Sequence, residues 1–367
     1  MIALPSSRSP ARLRVGFLPL TDAAPLVVAQ ELGLYARHGL QVHLSREVGW
    51  ATVRDKVIFG ELDAAPAPAP MLWAVNLGLE CMPCAASTAF VFNLHGNAIT
   101  LSHGLRDAGV TDSATLRAEV TKRRGNRPVT FGVVFRYSSH HLLLREWLRS
   151  AQIDPDRDVR IVVVPPAQMF RNLAAGTIDG YCVGEPWNSV AVHHDAGWCP
   201  AWSAQLSPGH VEKVLMVRDD FARKQPEAHA ALITALAEAC AWCDAPENRP
   251  ALARLLSVRD YLNLSPAVIA AALTGQFGCG AGRVEAAPDF FVFHRGDANA
   301  PTADRATALQ AELIASGLLT REQVTPDLPQ RLFRESTYRD ALNSPATHVI
   351  PVKNTAPLGF NAQPCFP

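Results

Sequence analysis

Four side chains along this sequence have the chemistry of a small-anion site: the indole of Trp50, the carboxamide of Asn97, the imidazole of His140 and the ammonium of Lys213. Together they offer one permanent cation and several neutral donors, which suits a small, planar, monovalent anion. Phosphate or sulfate calls for arginine forks or more backbone donors. Each residue also has an ordinary reading. Trp50 opens a helix, where free amides and the dipole attract anions, but it also begins an apolar stripe and fits a core. His140 opens another helix, where a histidine often caps or supports the first turn. Asn97 lies in His95-Gly-Asn-Ala-Ile-Thr100, whose glycine lets a ligand approach the backbone and equally suits a turn. Lys213 leads into an apolar strand, and a solvated lysine is the default there. The set points to a ligand more firmly than any member does. No nucleophile–base motif, metalloprotease motif or phosphate loop is present, so the expectation is a binding protein and no enzyme, with no cofactor and no metal.

The elements that would carry these residues alternate. A strand over 13–20 is followed by a helix over 24–37, in which Val28, Leu32 and Tyr35 share a face and Gly39 marks the stop. A strand over 40–44 leads to Gly49 and a helix from Trp50, with Val53 and Val57 inward and Arg54 and Asp55 outward. Three prolines in 63–70 suggest a strand end passing into a loop. A second unit repeats the alternation: strands over 129–134, 159–164 (read as buried) and 179–183, and a helix over 140–150. Pro165 and Pro166 begin a further helix. Helical patterns over 227–243, 247–256, 266–275 and 303–316 dominate thereafter, and the glycine-rich run 275–282 reads as a flexible loop. This predicts an α/β protein with largely parallel sheets in two lobes: 12–103 with 215–350, and 104–214, followed by a tail over 351–367. In such sheets ligands sit beyond the carboxyl ends of strands, here the loops at 20–24, 48–51, 95–98, 136–141, 165–168 and 184–188.

At 367 residues, 48% hydrophobic and 19% charged, the chain can build two cores. Its formal net charge is zero and its longest basic cluster is Lys122-Arg123-Arg124, so direct nucleic-acid binding is not expected. No run approaches the ~18 apolar residues of a membrane span; residues 228–243 read as a buried helix. The pairs Cys81/Cys84 and Cys240/Cys243 sit among apolar neighbours and read as buried, reduced thiols. Met1 to Ala11 holds no run of the ~7–15 apolar residues that a secretory signal needs, which leads to the expectation of a cytoplasmic protein.

Several blocks resemble, in order, the nitrate-binding proteins of nitrate ABC transporters and their bicarbonate-binding relatives. They are Leu20-Thr-Asp-Ala-Ala-Pro-Leu26, Trp50-Ala-Thr-Val-Arg-Asp-Lys56, Gly60-Glu-Leu-Asp-Ala-Ala65, Leu94-His-Gly-Asn-Ala-Ile99, the helix 140–148, and Gly176-Thr-Ile-Asp-Gly-Tyr-Cys-Val-Gly-Glu-Pro-Trp-Asn188. The resemblance implies a clamp of the type II periplasmic-binding-protein kind with a helical C-terminal region. It also implies a site formed by Trp50, His140, the Pro166 turn, backbone near Val183 and Lys213, with Asn97 in place of a glutamine. The bicarbonate-binding relatives are acidic at the Lys213 position and use calcium, so Lys213 implies nitrate or nitrite. A version without an export signal resembles the cytoplasmic nitrate/nitrite sensors of assimilation operons (NasS type). Those hold an RNA-binding antiterminator (NasT type, with an ANTAR domain) until ligand arrives. The alternative is the substrate-binding component of an ABC transporter for nitrate or another small anion.

Overall fold

The computed structural model describes residues 10–344; the tail expected over 351–367 lies outside them. The first strand, Ala11–Phe17, turns Arg12 and Arg14 outward and buries Leu13, Val15 and Phe17, the period-two pattern of a strand covered on one face. It pairs in parallel with Leu40–Arg46. The connection is the helix Ala24–Glu31 and a short helix Leu34–Arg37. The single helix expected over 24–37 is broken at Gly33, which adopts φ 66°.

These strands belong to the larger of two main sheets. Its order is Phe291–Val292, Val91–His95, Val211–Arg218, Ala64–Pro68, Ala11–Phe17, Leu40–Arg46, with Ala86–Ser87 also pairing to Val211–Arg218. The smaller sheet runs Gly197–Trp202, Asn97–Ser102, Gly180–Gly184, Thr130–Val133, Arg160–Val163. The chain changes sheet at Gly96 and again between 202 and 211. Both crossings fall a few residues before the expected boundaries at 103 and 214. Gly96 takes φ 103°, and a Cβ there would lie 2.4 Å from the Phe291 ring, so only glycine fits this one-residue crossing. The four strands flanking these crossings run antiparallel to their neighbours, which makes both sheets mixed rather than largely parallel.

Two expectations about strands are corrected. Ala64–Pro68 lies inside the larger sheet despite Pro66 and Pro68. It pairs antiparallel with Val211–Arg218 over its full length, but with Ala11–Phe17 only at Val15–Ala64. Ala69 N donates to Glu212 O, so the alternate residues Ala65 and Ala67 point their amides the same way. The prolines fall at the intervening positions, on the side where pairing has stopped, and their missing N–H groups cost no ladder bond. Arg160–Val163, read as buried, is an edge strand with Val163 61% exposed; its β-branched run reports a strand without telling an edge from a centre.

The helix Pro226–Asp244 packs across Ala24–Glu31 and buries Cys240 and Cys243, whereas Cys81 and Cys84 are only half-buried. The run expected as a flexible loop over 275–282 instead forms a hairpin, Gln276–Gly280 with Arg283–Ala286, which seats Phe277 and Cys279 in the larger core. Arg54, expected outward, is buried: it donates to Glu80 O at 3.1 Å and lies over the Phe135 ring. No helix among the described residues is long and apolar enough to cross a membrane.

Candidate functional site

Lys213 lies in a central strand of the larger sheet, and its side chain is fully buried. The register against Val91–His95 shifts on both sides of Lys213, an irregularity that re-aims side chains. Consecutive strand residues ordinarily face opposite ways. Here Glu212 and Lys213 are ion-paired with each other. Lys213 Nζ also lies 3.0 Å from Asp22 Oδ2 and 5.1 Å from the centre of the Trp50 ring. Asp22 comes from the turn Thr21–Ala23 just beyond the first strand. Trp50 opens the helix Trp50–Ile58 directly after Gly49.

The smaller sheet supplies the other half. Asn97 follows the Gly96 crossing, and its Nδ2 donates to Glu212 Oε2 at 2.5 Å. Ser139 Oγ donates to the same oxygen at 2.5 Å, and His210 Nε2 lies 3.3 Å from it. His140, in the first turn of the helix Ser139–Ser150, places Nε2 3.4 Å from Glu212 Oε1. Across the two halves Thr21 N donates to Glu185 O at 2.8 Å. Lys213, Glu212, Asn97 and His140 are all 0% exposed, so the group is sealed from solvent.

Several buried polar atoms here have no hydrogen-bond partner among the described residues: Trp50 Nε1, Asn97 Oδ1, both ring nitrogens of His140, Thr21 Oγ1 and Glu185 Oε1. Buried polar groups are ordinarily paired, so such a concentration marks a place built for another molecule. Gly184 shows where. A Cβ at that position would lie 3.3 Å from Asn97 Oδ1 and 3.6 Å from both Asp22 Oδ2 and His140 Nε2. Three polar side chains from both sheets thus converge on the bare face of one glycine.

Burial pushes His140 down to about 3, so its ring is neutral. Burial raises Asp22, against the pull of Lys213. Burial would raise Glu212 too, but the adjacent Lys213 ammonium holds it well below its ordinary value. Lys213 is raised above its ordinary value because Asp22 and Glu212 outweigh its own burial. Burial carries Glu185 up to about 7.

Trp50, Asn97, His140 and Lys213, far apart in sequence, therefore meet. Val183 is buried in the strand next to Gly184, and its carbonyl accepts from Asn188 Nδ2 at 2.9 Å. Pro166 opens the short turn Pro166–Gln168, and its carbonyl accepts from Met169 N. Neither supplies a side chain to the cluster around Gly184. Sequence reasoning missed Asp22, Glu212, Ser139 and Glu185. Asp22 was visible as a lone charge within Leu20-Thr-Asp-Ala-Ala-Pro-Leu26, and Glu212 as a second charge opening an apolar strand. No group of three or more potential metal ligands occurs among the described residues.

Two mixed α/β lobes joined by crossing strands, with a sealed polar cluster between their sheets, define a clamp-like solute-binding protein of the type II periplasmic-binding kind. A family model described as the NMT1-like family matches residues 6–257, and the chain belongs to that family. The chain is 37% identical over 332 residues to the nitrate import ATP-binding protein NrtC of a Synechocystis strain, matching 90% of this chain and 49% of that protein. It thus spans about half of that relative's length. It is 30% identical over 342 residues to the nitrate/nitrite binding protein NrtA of a Nostoc strain, at 90% and 76% coverage respectively. The crystal structure of the periplasmic nitrate-binding protein NrtA from Synechocystis PCC 6803 superposes with a TM-score of 0.87 at 29% identity, covering 93% of this chain and 91% of that one.

Proposed function

We propose that this protein binds nitrate or nitrite between its lobes, as the substrate-recognising component of an ABC-type import system. The observation that carries the reading is the pair of unpartnered buried donors, Trp50 Nε1 and a ring nitrogen of His140, beside the Lys213 ammonium. A planar anion whose oxygens only accept hydrogen bonds satisfies such donors, and nitrate in the family relatives is of that kind. The Lys213 ammonium, in turn, opposes a calcium ion at the same place. Because the cluster is drawn from both sheets, a bound anion ties the lobes together and favours the closed clamp.

Thermal unfolding with added salts tests this. Nitrate and nitrite are expected to raise the melting temperature, with stabilisation of ~2.7 kcal/mol at a hundredfold excess over Kd; bicarbonate with calcium, and sulfate, are expected to do far less. No shift with millimolar nitrate alongside a clear shift with bicarbonate and calcium sinks the assignment.

A second reading keeps the same site and changes the output: a cytoplasmic sensor that holds an RNA-binding antiterminator and releases it when nitrate or nitrite binds. It is supported by the cysteines. All seven in the described residues are free, as suits a reducing compartment. The zero net charge agrees with any RNA contact being made by the partner and not by this chain. If the anion favours the closed clamp and the partner the open one, each weakens the other equally, and a tenfold effect needs only ~1.4 kcal/mol of coupling. Co-purification with such an antiterminator, washed with and without nitrate, is expected to show nitrate-dependent loss. A complex indifferent to nitrate and nitrite removes the switch and leaves the import reading.

A further inference from the structure

The sealed cluster holds one cation against two carboxylates. Lys213 Nζ is shared between Asp22 and Glu212, with all three side chains at most 5% exposed. The two carboxylates are not alike. Glu212 receives Lys213, Asn97 Nδ2 and Ser139 Oγ, a set of donors that stabilises its ionised form; His210 Nε2 lies 3.3 Å from it. Asp22 has Lys213 as its ion-pair partner, and the same oxygen, Oδ2, lies at the face of Gly184 with Asn97 Oδ1 and His140 Nε2. An anion bringing only lone pairs to that face meets the Asp22 carboxylate head-on. It would also raise the charge of this solvent-inaccessible cluster from −1 to −2, and an uncompensated buried charge is strongly unfavourable.

We propose that the anion binds together with one proton, taken up by Asp22, whose carboxylic acid O–H then donates to the anion while Lys213 Nζ turns from Asp22 to the ligand. The inference rests on reading the cluster as an anion site. It keeps the net charge of the cluster unchanged on binding and converts the one repelling acceptor into a donor. The direction in which burial already moves Asp22 agrees with it. The other ionisable groups around Asp22 are accounted for. Glu212 stays ionised on its three donors, and burial lowers His140 to about 3, so its ring is neutral. His210 lies against the far oxygen of Glu212, with its other ring nitrogen on Ser207 O. Glu185, carried to about 7, is the one rival proton acceptor. Its carbonyl bonds Thr21 N, while its carboxylate faces Ser189 N at 3.2 Å.

Titration calorimetry of the full chain with sodium nitrate, from pH 6 to 9 in phosphate and in Tris, reads the proton directly, since the two buffers differ in ionisation heat. The expected result is uptake of one proton per nitrate and an association constant that falls tenfold per pH unit over the upper range. Asp22→Asn is expected to bind nitrate without proton uptake and with a flat profile, and more tightly than the parent at pH 8. Glu185→Gln and His210→Gln are expected to keep the slope. Nitrate binding by the parent protein without proton uptake overturns the proposal. So does a slope that survives Asp22→Asn or vanishes in Glu185→Gln or His210→Gln. If Asp22→Asn does not fold, the proton count of the parent and the profiles of the other two variants still decide. A parent protein that binds no nitrate at any pH overturns the anion reading of the site instead.

Discussion

Lys213→Glu is expected to abolish nitrate binding and, at the same time, to destabilise the fold. The lysine is the only cation within the sealed cluster, 3.0 Å from Asp22 and ion-paired with Glu212. Its replacement places three carboxylates in one buried cluster. Breaking a buried pair by removing one partner costs about 3–5 kcal/mol, and the added like charge exceeds that until one or two carboxyls protonate. Urea unfolding followed by circular dichroism should therefore show a large loss at pH 7.5 that shrinks toward pH 5. Calorimetry should show no nitrate binding at either pH. The milder Lys213→Met should lose binding too, and combining it with Asp22→Asn should restore much of its stability, because the orphaned carboxylate is gone. That non-additivity is the signature of a direct pair. Near-normal nitrate affinity in a folded Lys213→Glu protein would move the site elsewhere. Unchanged stability of Lys213→Met at pH 7.5 would contradict the buried triad.

The donors of this cluster were legible in the sequence because each sits at a punctuation mark of secondary structure. Gly49 before Trp50, the serines before His140 and the glycine before Asn97 announce helix starts and a crossing, and such ends are where the chain presents side chains to a cleft. The carboxylates were not legible. A charge beside an apolar run reads as a solvated flank, and only the register shift around Lys213 shows that Glu212 turns inward with its neighbour. Ala64–Pro68 was hidden for a related reason. Two prolines argue against a central strand unless the neighbouring ladder ends early, as it does after Val15–Ala64, and that is a property of the partner strand. Arg160–Val163 and 275–282 failed in opposite directions: apolar content cannot tell an edge from a centre, and glycine content cannot tell a mobile loop from a hairpin with two buried side chains.

The same partition between fold and site can be drawn within one strand. Gly180 and Gly184 bound the strand Gly180–Gly184 and are equivalent in sequence terms, yet their surroundings differ. A Cβ at Gly180 would lie 2.8 Å from the Thr100 carbonyl oxygen and 2.9 Å from the Phe131 ring, against backbone and a packed core that cannot yield. Gly180→Ala is therefore expected to destabilise the protein by about 1–3 kcal/mol, the usual cost of overpacking, while whatever folds still binds anion. A Cβ at Gly184 meets nothing closer than Asn97 Oδ1 at 3.3 Å, a tight but tolerable contact with the end of a side chain. Gly184→Ala should leave the unfolding midpoint nearly unchanged. The methyl group would nonetheless stand on the face where Asn97, Asp22 and His140 converge, in the space the anion needs, and it offers no hydrogen bond in return. Nitrate affinity is expected to fall at least a hundredfold, which corresponds to ~2.7 kcal/mol. Calorimetry and thermal unfolding on the two alanine variants read both quantities side by side. Strong nitrate binding by Gly184→Ala would show that the ligand does not sit on this glycine, whatever else the cluster around Lys213 binds.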